Sequence, residues 1–408
     1  MKILPVEFTE KTRQLLGDEC FDRYLKSFEE DIPVSIRLNP QKAQGLEVID
    51  GEQVPWCQNG YYLKQRPNFT FDPLFHAGCY YVQEAASMFL DEVLRQLVNG
   101  KSVNGKCLDL CAAPGGKSTL LRSALPDDCV LYSNEPIRNL ASILLENVTK
   151  WGYKNHIVTN AYPKDYRQSK MKFDVILCDV PCSGEGMFRK DEATIREWCP
   201  QNVEKCWQLQ RDIVSDAWAC LNEGGLLIYS TCTFNTKENE ENVRWILETF
   251  DDAEVVPIKT QPEWNISGSL LNGFDEPVYR FIPGISRSEG LFMCVIRKRP
   301  SPNPSLLREG RKNSHLGETS LRQLTSPLPH REGPEVGLSY QQAMAYLRHE
   351  ALVLPEDTPR GLVYVCFMGH PLGLVKNIGT RANNLYPKEW RIKTTHIPND
   401  YEAIFRHT

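Results

Sequence analysis

Between about residues 100 and 300, apolar runs of strand length alternate with amphipathic stretches of helical length, and this alternation narrows the possible folds more than any other feature. Strand candidates are KCLDL (106–110), CVLYSN (129–134), HIVTN (156–160), FDVILCD (173–179), GLLIYS (225–230) and GLFMCVIRK (290–298), with helices starting near Lys117, Pro136, Gln201 and Thr236. The pattern predicts an α/β domain built on a doubly wound, mostly parallel sheet with helices on both faces. Such sheets bind ligands in the crevice at the carboxyl ends of their strands, so the loops that follow the strands are where chemistry is expected.

The flanks differ. Residues 1–80 combine a helical pattern, TEKTRQLLGDECFDRYLKSFEE, with strand-like VSIRLN and the aromatic cluster Tyr61, Tyr62, Phe69 and Phe71, and read as a small α+β accessory domain before the 81–300 core. The stretch 301–337 is rich in Pro, Ser, Gly and Arg and predicts a flexible linker. Residues 338–408 then form a small α+β module, with a helix in LSYQQAMAYLRHEALVL and two strands around the Gly-Pro turn of GLVYVCFMGHPLGLVKNIG.

Charge and composition exclude some roles. A net charge of -5 argues against a chain that merely coats nucleic acid, yet residues 360–399 hold six basic residues against Glu389 alone, a surface suited to phosphate. No apolar run approaches the roughly 20 residues of a membrane span, and the N-terminus turns polar too soon for a signal peptide, so a cytoplasmic chain is expected. The 14 cysteines lie mostly inside apolar runs, without a CxxC pair, and the 8 histidines are scattered, which predicts reduced thiols and no metal. A monomer is the default.

Three loops carry the chemistry. In KCLDLCAAPGGKSTL a strand, a small-residue loop and a helix start follow in succession, so Cys111, Ala112, Ala113, Pro114, Gly115, Gly116 and Lys117 are the candidates for close backbone approach to a ligand. About 20 residues beyond the glycines, Glu135 ends the second strand, where an acid accepts the ribose hydroxyls of an adenosine cofactor. The loop matches neither GxGxxG nor GxxxxGKS, which weakens dinucleotide and triphosphate readings. The other two loops are CDVPCSGEGMFRKD, with Asp179 and Cys182, and YSTCTFNTKENEENV, with Cys232. Both thiols should open into one cleft, and spacing does not decide which of them is a nucleophile.

The strings DLCAAPGGK, DVPCSGEGMFRKD and STCTFNTKENE resemble three motifs of the RNA cytosine-5 methyltransferase family, and the resemblance runs from SIRLN to the C-terminal module. It implies a Rossmann-like class I methyltransferase core, S-adenosylmethionine as cofactor, Cys232 as the attacking thiol and Cys182 as the thiol that assists release. Asp179 is implied as the base-contacting acid, also near the cofactor. Tyr80, Tyr81, Val82, Gln83 and Glu84 resemble the family's Y-x-Q-x-x-S entry segment, which sits near the cofactor. The nearest resemblance is to the bacterial RsmF-like branch, which implies 16S ribosomal RNA or the small subunit as partner. It also implies a C-terminal PUA-like RNA-binding module, with Lys376, Arg381, Lys388 and Arg391 as candidate phosphate contacts. One departure stands out: after the third strand, where relatives commonly carry an acid near the adenine, this chain has Asn160 and Ala161, with Asp165 further on. Transfer RNA or DNA as substrate, and a non-catalytic RNA-binding protein on the same scaffold, are the competing readings.

Overall fold

The computed structural model describes residues 2–98, 105–300, 321–324, 333–394 and 396–407. The first helical pattern is two helices, α1 (Val6–Leu16) and α2 (Asp18–Lys26), because Gly17 between them adopts φ 76° and its N–H closes on the Arg13 carbonyl at 2.9 Å. The strands β1 (Val34–Leu38), β2 (Leu46–Val48), β3 (Glu52–Gln53) and β4 (Gly60–Leu63), the short helix α3 (Pro73–His76) and β5 (Tyr80–Val82) follow. They form an antiparallel sheet in the order β3-β4-β1-β5, with β2 outside it. Since β5 pairs with β1 through Val82, this sheet reaches past residue 80.

The core then runs α4 (Phe89–Leu97), β6 (Lys106–Asp109), α5 (Gly116–Ala124), β7 (Val130–Asn134), α6 (Arg138–Trp151), β8 (His156–Thr159), α7 (Pro163–Ser169), β9 (Phe173–Asp179), α8 (Glu192–Glu197), α9 (Pro200–Cys220) and β10 (Leu221–Thr231). After it come α10 (Glu240–Thr249), β11 (Ala253–Val255), β12 (Tyr279–Phe281), β13 (Leu291–Lys298) and β14 (Gln323–Leu324). The sheet order is β11-β13-β10-β9-β6-β7-β8-β14; strands β8 to β10 through β7, β6 and β9 are parallel, whereas β11, β13 and β14 pair antiparallel. The expected doubly wound, mostly parallel sheet is therefore present, with 290–298 as an antiparallel strand beside β10. Consecutive residues of the central strands bury opposite faces: Cys107, Leu177 and Ile228 pack on the α4 and α5 side, and Leu108, Ile176 and Leu227 on the α9 and α10 side. The chain winds outward from β6 to β8 and returns to β9 on the other side of β6, which puts a topological switch point between β6 and β9.

Most of the expected linker lies outside the described residues. Its described parts contradict the expectation: β14 pairs with β8, Leu321 is buried in the core, and β15 (Glu335–Gly337) joins the last module. Backbone hydrogen bonds offered by sheet edges take up these residues despite their polar composition. The last module continues with α11 (Tyr340–Leu347), β16 (Gly361–Phe367), β17 (His370–Asn377), β18 (Ala382–Asn384) and β19 (Phe405–His407). Its helix ends earlier than its sequence pattern suggests because His349 turns to φ 65° and Asn384 Nδ2 caps the carbonyls of Tyr346 (2.7 Å) and Glu350 (2.9 Å). The expected strand pair is present, although its turn is Met368-Gly369 and Pro371 lies inside β17 at a register shift. The chain's last strand, β19, pairs with β2 and ties the C-terminal module to the N-terminal unit.

Candidate active site

The small-residue loop leaves β6 at its carboxyl end and closes into α5. Ala112 N–H donates to the Asn134 carbonyl at 2.8 Å, which holds the loop across the end of β7. Gly115 adopts φ 115°, and a Cβ there would stand 3.2 Å from Leu144 Cδ1; Gly116 faces Tyr81 and Gln83 just as closely, at 3.3 and 3.7 Å. Gly115 needs glycine because of its positive φ, and at Gly116 a Cβ would press on the Tyr81 ring. Burial pushes the Cys111 thiol well above its ordinary range, so it is a neutral wall of the loop. Glu135, at the end of β7, receives the Ile137 N–H at 2.9 Å; burial raises its carboxyl, partly offset by the Ile137 and Ala113 N–H groups.

Asn160 follows β8, and its amide nitrogen donates to the carbonyls of Glu135 (2.7 Å) and Pro136 (2.9 Å). It therefore braces the Glu135 turn. Asp165 caps α7 instead, accepting the Tyr162 N–H at 2.8 Å, so it is committed to that helix start.

Two further residues complete this corner: Asp109, which the sequence reading did not single out, and Gln83, which it named only through the entry segment. Asp109, the last residue of β6, is 1% exposed; one carboxylate oxygen accepts the Ser118 hydroxyl and the other has no partner. Gln83 is 5% exposed, its oxygen accepts Arg37 Nε at 2.7 Å, and its amide nitrogen has no partner. Arg37 also donates to Thr119 Oγ1 (2.6 Å) and the Gly116 carbonyl (3.1 Å), so the SIRLN segment of the N-terminal unit is anchored in the first turn of α5.

Asp109 has a thermodynamic signature. Burial pushes its carboxyl up to about 7, Ser118 opposing and Asp179 adding to the effect, against about 3.9 in an unfolded chain. Between these values the folded protein holds a proton the unfolded chain has released. The stabilising contribution is therefore complete below about pH 4 and is lost as pH rises through about 7. Thermal melts between about pH 5.5 and 8 should fall less steeply for Asp109→Asn than for the parent chain; parallel curves would refute the assignment of this slope to Asp109.

The thiols lie one and two strands further along. Asp179 ends β9; its Oδ1 accepts the Ser230 hydroxyl at 2.7 Å and its Oδ2 accepts Lys117 Nζ at 2.8 Å. Burial works against the charge on Lys117, but Asp179 outweighs it and holds the ammonium above its usual range. The sulfurs of Cys182 and Cys232 stand 3.3 Å apart, a hydrogen-bond contact well beyond a disulfide's roughly 2.05 Å. The contact with Cys182 lowers the pKa of Cys232 against burial, Asp179 opposing and Lys117 assisting, and the same contact together with burial raises Cys182 well above its ordinary value. The two thiols thus share one hydrogen bond in which either sulfur can donate, with the shift downward at Cys232 and upward at Cys182.

The four basic candidates of the last module are all exposed: Lys376 on β17, Arg381 before β18, and Lys388 and Arg391 around Trp390. No helix among the described residues is long and apolar enough to cross a membrane.

A doubly wound sheet with a glycine-rich loop at the first strand's carboxyl end and an acid ending the next defines the Rossmann-like S-adenosylmethionine-dependent methyltransferases, and comparisons with known proteins agree. The family model described as 16S rRNA methyltransferase RsmB/F matches residues 97–297, the N-terminal domain of 16S rRNA methyltransferase RsmF matches 4–85, and the methyltransferase RsmF PUA domain matches 334–392. Ribosomal RNA small subunit methyltransferase F of Pectobacterium atrosepticum is 30% identical over 95% of this chain and 81% of its own length. The protein of the same name from Erwinia tasmaniensis is 26% identical over 94% and 96%. Among solved structures, a methyltransferase homolog protein from Pyrococcus horikoshii superposes with a TM-score of 0.58 at 28% identity, covering 72% of this chain and 94% of that one. The chain belongs to the RsmF family of 16S ribosomal RNA methyltransferases.

Proposed function

We propose that this protein methylates carbon 5 of a cytosine in 16S ribosomal RNA through a covalent bond between Cys232 and the base. The observation that carries this reading is the thiol pair, 3.3 Å apart, beside the Lys117–Asp179 ion pair and next to the cofactor loop.

The residues fit S-adenosylmethionine. Its amino-acid end needs an acceptor for an ammonium and donors for a carboxylate, and the corner between β5 and β6 holds an unpartnered buried carboxylate oxygen on Asp109 and an unpartnered buried amide nitrogen on Gln83. Glu135 supplies an acid for the ribose hydroxyls, and the backbone from Cys111 to Gly116 forms the floor. When bound, the cofactor supplies an electrophilic methyl group.

Carbon 5 of cytosine is a weak nucleophile because the ring resists giving up π electrons. Cys232 removes that obstacle by bonding through sulfur to carbon 6, which makes carbon 5 enamine-like and able to take the methyl. Lys117 and Asp179 form a pair of opposite charges in the same cleft, suited to the ring's oxygen, its ring nitrogen and its exocyclic amine as charge builds during attack. After transfer, carbon 5 still carries its hydrogen. A base, water or hydroxide from solvent, takes that hydrogen as a proton; the electron pair forms the 5,6 double bond, and the carbon 6–sulfur bond breaks to leave the Cys232 thiolate, which the neighbouring Cys182 thiol can protonate. Cys182, whose sulfur lies beside the one to be expelled, assists this release. A base stacked in a duplex hides carbon 6, so the reacting cytosine must be single-stranded or turned out. The exposed Lys376, Arg381, Lys388 and Arg391 are suited to holding the flanking phosphates.

The test is incubation of the protein with methyl-labelled S-adenosylmethionine and 16S ribosomal RNA, naked and in the small subunit, followed by nucleoside analysis of the product. Label in 5-methylcytidine is expected. Label confined to another nucleoside, or to duplex DNA, would overturn the proposal.

A further inference from the structure

The segments that carry the two cysteines are bound to each other by more than the sulfur contact. Gly186 N–H donates to the Cys232 carbonyl at 2.7 Å, and a Cβ on Gly186 would stand 2.6 Å from that oxygen, so the two backbones touch. Around this contact lie two buried carboxylates from the two segments, Glu185 and Glu238, 2% and 0% exposed.

Glu238 Oε2 accepts the Ser183 N–H at 3.0 Å and Gln210 Nε2 at 2.7 Å, while the same Gln210 nitrogen donates to the Pro181 carbonyl at 2.9 Å. Both neighbours of Cys182 in the chain are thereby fixed to one carboxylate, Ser183 directly and Pro181 through Gln210. Glu185 makes the reciprocal connection: its Oε2 accepts the N–H groups of Phe234 (2.7 Å) and Asn235 (2.9 Å), two and three residues past Cys232, and its Oε1 accepts Trp198 Nε1 at 3.0 Å. Asn235 joins the two acids, donating to Glu238 Oε1 at 2.8 Å and Glu185 Oε1 at 3.1 Å and accepting the Glu238 N–H at 2.9 Å.

We infer that Glu185, Asn235 and Glu238 are positioning residues that hold the Cys182 segment against the Cys232 segment, so that the second thiol stays beside the sulfur it must help release. The inference rests on the two-cysteine reading above. Burying a carboxylate costs several kcal/mol unless donors surround it, and an apolar cluster would stabilise the fold at less cost. What the acids supply is direction, because each oxygen accepts from specific backbone and amide hydrogens and so fixes one register between the two loops. The Cys232 sulfur makes the bond to carbon 6 and Cys182 aids that step only through their hydrogen bond, whereas release depends on both sulfurs being in place. Loosening this clamp therefore acts on the second half of the reaction.

The test compares Glu238→Gln and Asn235→Ala with the parent chain, using S-adenosylmethionine and 16S ribosomal RNA. Gln in place of Glu238 sets an N–H₂ against one of the donors now bound, and Ala at Asn235 removes the bridge with a smaller change in burial. On denaturing gels the steady fraction of protein joined covalently to RNA should rise, with release slowed about 10-fold, while S-adenosylhomocysteine affinity by calorimetry stays within about 2-fold. A proximity readout covers the case of one poorly folding variant: dibromobimane should bridge Cys182 to Cys232 more slowly in whichever variant folds, as read from the linked peptides by mass spectrometry. Folded variants with parental adduct fraction and bridging rate would overturn the inference. If Cys182→Ala traps adduct and these variants do not, the clamp fails and the two-cysteine reading stands; if Cys232→Ser leaves methylation intact, the reading itself fails.

Discussion

Replacing Cys232 by serine should lower methyl transfer to RNA by about 1,000-fold or more while leaving S-adenosylhomocysteine binding within about 2-fold of the parent. The size of the effect follows from the atom removed. The Cys232 sulfur shares a hydrogen bond with Cys182, and that contact holds its pKa below the ordinary thiol value despite burial and the nearby Asp179. A serine hydroxyl in the same place has a far higher pKa and forms no comparable anion near neutral pH, so carbon 6 is left without a nucleophile and carbon 5 stays unreactive. The cofactor corner, made by the loop after β6 with Glu135, Asp109 and Gln83, shares no atom with the substitution. Single-turnover incorporation of labelled methyl, alongside calorimetry, separates the two effects. Turnover within about 10-fold of the parent would exclude Cys232 as the nucleophile.

The central sheet was legible because its information is local. FDVILCD and GLLIYS are continuous apolar runs, as strands buried on both faces must be, and the small-residue loop follows its strand directly in sequence. The edges were not legible. Strands β11, β12 and β14 are only two or three residues long, and the register of a partner strand, not their own periodicity, makes them strands. The pairing of β19 with β2 joins residues from opposite ends of the chain, a contact no local pattern encodes.

The same division holds at the site. Residue types and positions after strands marked Asp179, Cys182 and Cys232, since a thiol or acid in such a loop carries its meaning with it. The polar string TKENEEN instead resembles the solvated start of a helix near Thr236, yet α10 begins at Glu240, and Glu238, Asn239 and Glu240 are fully buried. Their partners are Ser183 and Gln210 for Glu238, Thr231 for Asn239 and Arg280 for Glu240, all supplied by tertiary packing. Sequence charge alone places such residues in water, and only the fold shows that each has a specific donor. Arg37 belongs to the same class: residues 1–80 read as a small accessory domain, and nothing local to SIRLN shows that its buried guanidinium bonds to the first turn of α5.

Removing the sulfur of Cys182 should have the opposite consequence to removing that of Cys232: a covalent complex between protein and RNA that accumulates and survives denaturation. In Cys182→Ala the attacking thiol keeps its loop, its cleft and the nearby Lys117–Asp179 pair, and loses the donor that stood 3.3 Å away. Loss of that hydrogen bond removes the largest influence lowering the Cys232 pKa, so attack should slow, by about 10-fold if one hydrogen bond to a charged group is lost. Release depends on Cys182 more directly and should slow by a further factor of about 100. Because the second step suffers more than the first, most of the protein should be found joined to RNA at steady state, as a shifted band that requires S-adenosylmethionine and disappears in the Cys182→Ala, Cys232→Ser double variant. A single Cys182→Ala variant that turns over slowly with no shifted band would mean that attack alone limits the reaction, and the role of Cys182 in release would have to be abandoned.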